Sequence, residues 1–198
     1  MELPEPHPAP PTDLAQRPLA IAESAGPWIR SHAHGRGPLF FGRTGANRFD
    51  DPDRRYGVLY VAEDAYGAFI ETFGRQLGER YVTTTRLEGR SLARVTTSRP
   101  LRLVDLTGPG LSQIGADGRL TTGRYDISQQ WALALHQHPE QPDGLLYRSR
   151  HDPSQLCAAI FDRAADELTA SPLGSLADPT NAALLADLLD AYGFSLIE

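Results

Sequence analysis

Residues 57–74 constrain the fold more tightly than any other stretch, because a short apolar run passes almost directly into a capped helix. Val58, Leu59, Tyr60, Val61 and Ala62 form an unbroken apolar and aromatic run released by Gly57. A run of that length after a charged, Pro-containing turn reads as a buried strand. With a period of two, Tyr60 shares a face with Val58 and Ala62. Asp64 is a good N-cap, the spacing over 65–73 is helical, and Gly74 is expected to stop the helix in a left-handed conformation. Glu71 then falls in the last turns, off the apolar stripe, with small Gly67 and Ala68 one turn back. Its carboxylate can face a cleft; a solvated surface Glu is the ordinary alternative.

The remaining chain reads as support for this unit. Residues 1–26 carry a Pro-rich segment with six prolines before position 19, expected as an extended, mobile or surface-draped arm. Residues 27–198 are expected to form one domain, since 198 residues suffice for a single sizeable core and no internal repeat is visible. Further short strands are expected at 39–41, 80–86, 92–95, 101–105, 145–149 and 157–161. Helices are expected at 126–137 and 181–192, and the Gly- and Thr-rich stretch 107–123 as a long mobile loop. The fold class expected from this mixture is α+β, mostly antiparallel strands curved around a cleft with helices at the flanks.

Charge and composition remove several functions. A formal net charge of −6 and a pI near 5.5 argue against a broad nucleic-acid footprint. No apolar run approaches a membrane span and no basic-then-apolar leader opens the chain, so a cytoplasmic location without membrane association is expected. Cys157 is the single cysteine, which excludes an internal disulfide. All 19 basic residues are Arg, so Schiff-base chemistry and the P-loop Lys are excluded. Any phosphate held by side-chain charge is held by guanidinium forks. The segment GPGLSQIG lacks the spacing of a dinucleotide-binding fingerprint.

Three constellations compete for chemistry. His32 with His34, and His136 with His138, could supply imidazoles to zinc, but no Cys accompanies them and the H-E-x-x-H spacing is absent, so no metal is expected. Ser149, His151 and Asp152 superficially supply a hydrolytic triad, but no G-x-S-x-G elbow precedes the serine. The third set is Arg30, Arg48, Tyr60, Glu71 and Ser149.

The last set carries a resemblance. The runs N-R-F-D-D-P at 47–52, G-V-L-Y-V-A-E-D at 57–64, A-F-I-E at 68–71 and D-G-L-L-Y-R-S-R-H-D at 143–152 resemble the RES domain, in the same order and with compatible spacing over about 28–168. Asp50 stands where Asn is common in that family. The resemblance implies an ADP-ribosyltransferase-like fold and an enzyme that degrades NAD as the toxin of a toxin–antitoxin pair. Carried over, it implies that Arg30 and Arg48 grip the NAD phosphates, Tyr60 stacks near the nicotinamide ribose, Glu71 is the catalytic carboxylate, and Ser149 orients the ribose or the nicotinamide amide. It implies NAD as substrate with no bound cofactor, inorganic phosphate as co-substrate, and a cognate antitoxin with a helix-turn-helix domain. A homodimer is compatible with it.

The residue types suit that chemistry. Breaking the N-glycosidic bond of NAD expels neutral nicotinamide and leaves oxocarbenium character on the ribose, which a nearby carboxylate stabilises. The acceptor is phosphate in a phosphorylase, water in a glycohydrolase, or a side chain in a protein-modifying transferase; a non-catalytic binding module is the reading from a different class. Arg148 and Arg150 flank Ser149 on the opposite strand face, and a strand end near 151–153 would let Arg150 turn into the cleft. An added guanidinium there favours an anionic acceptor.

Overall fold

The computed structural model describes residues 7–76 and 78–198. The expected central unit forms as β3 (Val58–Ala62) followed by α1 (Ala65–Phe73), with the Asp64 carboxylate accepting from the Gly67 amide at 2.9 Å. The other strands are β1 (Ile21–Ser24), β2 (Trp28–Ala33), β4 (Tyr81–Thr83), β5 (Arg90–Thr97), β6 (Leu101–Asp105), β7 (Gly144–Arg148), β8 (Leu156–Phe161), β9 (Leu168–Gly174) and β10 (Ser195–Ile197). The other helices are α2 (Thr84–Glu88), α3 (Gly110–Ile114), α4 (Arg119–Thr122), α5 (Tyr125–His136) and α6 (Ala182–Tyr192).

Eight strands form one sheet in the order β1-β6-β7-β8-β3-β2-β5-β9, antiparallel except for β6 against β7; β4 and β10 pair in parallel beside it. Connectivity forces this sheet to curl. Strands β5 and β6 stand five positions apart in the order, about 24 Å if flat, yet only residues 98–100 join them. Four Cα steps reach at most about 15 Å. The curled interior is one apolar cluster holding Trp28, Leu59, Val95, Leu103, Leu146 and Ile160, from six strands. On the other face α5 packs Trp131 and Leu135 over Val58 and Ala62, while α1 and α6 pack around Phe69, Phe73 and Leu188.

Along the gap that matters for function, β2 and β3 pair only through Ile29 and Ala62. Beyond that point the two strands part, and both line the same cavity.

Several local expectations are corrected. Gly74 has φ −78°, so it does not end α1 in the left-handed region; its value is space, because a Cβ there would meet the Ile70 carbonyl oxygen at 2.6 Å. Gly193 does cap α6 with φ +62°. Residues 39–41 form no strand; Pro38 and Gly42 flank them, and only the Gly42–Val58 bridge reaches β3. The expected strand over 80–86 stops at Thr83, whose hydroxyl accepts from the Arg86 amide at 3.1 Å and opens α2. The expected loop over 107–123 contains α3 and α4, pinned by fully buried Ile114 and Leu120.

The boundary expected at 26/27 is also displaced. The first six residues lie outside the described ones, but the rest of the expected arm is part of the domain: β1 pairs antiparallel with β6, and Leu14 is 3 % exposed in the α5 core. The Trp131 indole donates to the Pro8 carbonyl at 2.9 Å. Proline removes amide donors without removing carbonyl acceptors or apolar side chains, so such a segment can dock in extended form. Leu14→Ala should therefore lower the unfolding free energy by about 3 kcal/mol, as for other buried leucines. Urea titration measures it, and a loss below about 0.5 kcal/mol would place Leu14 among surface positions.

Candidate active site

The cavity between the parted strands has a volume of about 560 Å³. Arg30 on β2, Arg48 in the turn before β3, Tyr60 on β3 and Glu71 on α1 all line it. Seven arginines (30, 36, 48, 75, 86, 90 and 150) line it against one carboxylate, that of Glu71, among the described residues. In a protein of net charge −6, this local excess of positive charge selects an anionic ligand.

Two of these guanidinium groups are held out of water with donors unused. Arg30 donates from one nitrogen to the Phe40 carbonyl at 2.9 Å, while its Nε and the other terminal nitrogen are buried without a partner. Burial, with Arg36 and Arg90 nearby, lowers its pKa to about 10, so it stays cationic at neutral pH. Arg48 is 7 % exposed, donates to the Gly123 carbonyl at 2.8 Å and to the Ser128 hydroxyl at 3.2 Å, and lies 4.6 Å over the Tyr125 ring. Its remaining terminal nitrogen is buried and unpartnered. Burial lowers its pKa, opposed by Tyr125.

A polar network fixes the turn that carries Arg48. Asp50 is fully buried and accepts from the Tyr60 hydroxyl at 3.0 Å, the Thr44 hydroxyl at 3.0 Å and the Asn47 amide at 3.1 Å. Tyr60 in turn accepts from the Phe49 amide at 2.9 Å, and burial together with Asp50 pushes its phenol well above the ordinary range. Gln129 of α5 donates to the carbonyls of Gly45 and Asn47 at 2.8 and 2.9 Å. Tyr60 thus presents its ring to the cavity while its hydroxyl holds the turn.

Ser149 stands outside the cavity lining, 1 % exposed, just past the end of β7. Its Oγ accepts from the amides of His151 at 3.1 Å and Asp152 at 3.3 Å, and donates to Glu71 Oε1 at 2.5 Å. With both lone-pair directions occupied, the hydroxyl proton points at Glu71. Ser149 therefore orients the carboxylate, and the hydroxyl that would reach a ligand directly is already engaged.

Strand β7 ends at Arg148, which turns out to the Ser154 carbonyl at 2.8 Å, whereas Arg150 lines the cavity 5.8 Å from the Tyr125 ring centroid. The Arg150 Nε donates to His151 Nε2 at 3.3 Å; burial lowers the His151 pKa, opposed mainly by Glu71. The Ser149–His151–Asp152 sequence forms no triad, since no imidazole receives the serine proton. The two His pairs serve separate packing roles: His32 Nδ1 is 2.8 Å from the Arg36 carbonyl, His136 stacks on Tyr56 at 3.9 Å, and His138 Nε2 is 3.2 Å from the Arg17 carbonyl. No group of three potential metal ligands converges among the described residues.

Sequence reasoning missed Thr121, Tyr125, Arg75, Arg86 and Arg90, all of which line the cavity. A Thr-Thr-Gly-Arg-Tyr stretch opening an amphipathic helix was the available signal for Tyr125; the arginines lie on elements that only the fold brings together.

Comparison with known proteins places these observations. The family model described as RES domain matches residues 20–180. A protein named "Probable toxin y4kH" from Sinorhizobium fredii (strain NBRC 101917 / NGR234) is 32% identical over 113 residues, covering 56% of this chain and 86% of that relative. The crystal structure of the M. tuberculosis MbcT–MbcA toxin–antitoxin complex contains a chain that matches with TM-score 0.67 at 16% identity, over 92% of this chain and 100% of that one. That likeness shows the fold: the expected α+β architecture with a curled, mostly antiparallel sheet, shared with the chain of the MbcT–MbcA complex.

If the free guanidinium donors are an anion site, inorganic pyrophosphate should raise the melting temperature, by about 5 °C or more at a hundredfold excess over its Kd. Arg48→Lys should lose at least half of that shift, because an ammonium cannot reproduce the fork. Equal shifts for the two proteins in a thermal scan would show that the fork is not needed.

Proposed function

The chain belongs to the RES domain family, and we propose that it is an NAD-degrading toxin that cleaves the nicotinamide N-glycosidic bond. The observation that carries this reading is the carboxylate of Glu71, hydrogen-bonded by Ser149 and, among the described residues, the one carboxylate in a cavity lined by seven guanidinium groups. Such a cavity fits a ligand with a pyrophosphate and one centre of developing positive charge, which describes a dinucleotide losing nicotinamide. The unused donors of Arg30 and Arg48 take the phosphates. The Tyr60 ring lines the ribose region, and Ser149 acts through Glu71. The naming of y4kH as a probable toxin, and the crystallisation of MbcT with an antitoxin, support the same role here. A cytoplasmic location and a helix-turn-helix antitoxin belong to this proposal; the first rests on the sequence expectation and the second on the family resemblance.

As the C1′–N bond breaks, its electron pair passes to the pyridinium nitrogen and nicotinamide leaves neutral. Glu71 stabilises the positive charge that remains on the ribose. The incoming oxygen then forms the new bond at C1′, and an oxygen that is already anionic does so with no proton to lose. We take that oxygen to come from inorganic phosphate, because Arg150 turns into the cavity beyond Ser149 and adds a further cation to the lining that holds Glu71. The products are then nicotinamide and ADP-ribose phosphate.

Glu71→Gln should keep the melting temperature near that of the wild type while cutting nicotinamide release by ~10²-fold or more, since the loss falls on transition-state charge. Expression of the wild type should arrest bacterial growth with falling NAD, and the variant should be tolerated. Turnover by Glu71→Gln near the wild-type rate would remove this carboxylate from the mechanism. Growth arrest with NAD unchanged would favour transfer to a protein.

In phosphate-free buffer NAD loss should be slow and should accelerate as phosphate is restored, with ADP-ribose phosphate appearing by mass spectrometry. A rate indifferent to phosphate, with plain ADP-ribose as product, would make the enzyme a glycohydrolase.

A further inference from the structure

Helix α6 lies beyond the residues matched by the family model, which end at 180, yet its last residue reaches the loop behind Glu71. The Tyr192 hydroxyl donates to Asp152 Oδ2 at 2.9 Å. The Asp152 amide is one of the two that donate to Ser149 Oγ, and Ser149 gives its proton to Glu71. The Tyr192 ring meanwhile stacks on Phe69 of α1 at 6.0 Å and meets Tyr66 of the same helix edge-on at 6.3 Å. Phe69 stands two residues before Glu71. One side chain therefore spans the two elements whose relative placement sets the Ser149–Glu71 hydrogen bond.

Tyr192 is itself held on both sides. Gly193 turns the chain at φ +62°, and Phe194 packs edge-on against Phe69 at 5.4 Å. The Ser195 amide donates to the Arg80 carbonyl at 2.8 Å, where β10 joins β4. At the far end of the relay, Asp152 Oδ1 accepts from the Ser154 amide at 3.0 Å and hydroxyl at 2.6 Å, so Oδ2 is free for Tyr192. Although burial opposes ionisation, the hydrogen bonds from Ser154 and Tyr192 hold the Asp152 carboxyl below its ordinary value. The 149–155 turn closes through Ser149 N to the Gln155 carbonyl at 3.0 Å and Gln155 N to the Asp152 carbonyl at 2.9 Å. Fixing Asp152 thus fixes both amides that polarise Ser149.

We infer that Tyr192 is a positioning residue of the reaction, transmitting the placement of α6 through Asp152 and Ser149 to the Glu71 carboxylate. The inference rests on the proposed role of Glu71. The hydroxyl is the part that matters; the ring packs against α1 with or without it. A misplacement of the carboxylate by a fraction of an ångström affects the transition state far more than the bound substrate, because the charge it faces develops only as the bond breaks.

Tyr192→Phe keeps the ring stack and removes the donor. It should lower kcat for nicotinamide release by about tenfold with KM within about twofold, and lower the melting temperature by less than about 4 °C, the loss of one hydrogen bond in a domain of this size. Asp152→Asn should give the same split, and the double variant should be no worse than the poorer single variant, since both cut one relay. Amide hydrogen exchange supplies a readout that needs no turnover: protection at His151 and Asp152 should fall in Tyr192→Phe. An unchanged kcat in a wild-type background that does release nicotinamide would overturn the inference, as would additive losses in the double variant. If the wild type released no nicotinamide, the reading of the reaction would fail by itself, and unchanged protection at His151 and Asp152 would overturn the relay independently.

Discussion

Removing a guanidinium from water costs several kcal/mol unless its donors are satisfied and its charge is offset. Arg30 and Arg48 are both held this way beside the cavity, and neither forms an ion pair among the described residues. What offsets their burial is neutral: carbonyl oxygens of Phe40 and Gly123, the Ser128 hydroxyl and the face of Tyr125. Such partners satisfy some donors while leaving the charge uncancelled. Uncancelled positive charge at this position favours an anion beside it.

Much of the surrounding structure holds that charge in place. The Arg48 turn is anchored because the two residues that follow Arg48, Phe49 and Asp50, are both fully buried. Asp50 is itself a buried carboxylate without a cation, stabilised by hydroxyl and amide donors from Thr44, Asn47 and Tyr60. A carboxylate accepts only, so every contact it makes draws a donor inward, whereas an Asn at this position would bring an amide with two donors of its own. Gln129 reaches the same turn from α5, so the turn is tied to α5 as well as to β3. The Glu71 side is built differently: one short hydrogen bond from Ser149, supported by a closed turn and by α6.

The candidate site was legible to differing depths. Glu71, Arg48 and Tyr60 lie within 25 residues, in a stretch whose strand, cap and helix are each encoded locally, so their convergence could be read from spacing. Arg30 and Ser149 needed the family resemblance, because nothing local links positions 30 and 149 to that unit. The placement of Ser149 behind Glu71 depends on where β7 ends relative to α1, a relation between residues 78 apart. Thr107 to Gly123 misled the reading because glycine and threonine suit loops, while the burial of Ile114 and Leu120 that makes α3 and α4 possible exists only once the core is assembled.

By itself the sequence determined the β3–α1 unit, the Asp64 cap, the Gly193 stop, the mixed α+β class and the use of Arg for any anion, since each depends on periodicity, on a neighbour a few residues away or on composition. Only the tertiary structure decided that the sheet curls, that β2 and β3 part to open a cavity, that the described part of the Pro-rich segment docks rather than drapes, and that α6 reaches the loop behind Glu71. The physical reason is chain connectivity acting at long range. Residues 98–100 must join strands that lie five places apart, and once they draw the sheet round, the side chains that meet the β3–α1 unit from β2, from the end of β7 and from α6 are chosen by geometry that no local window of residues contains.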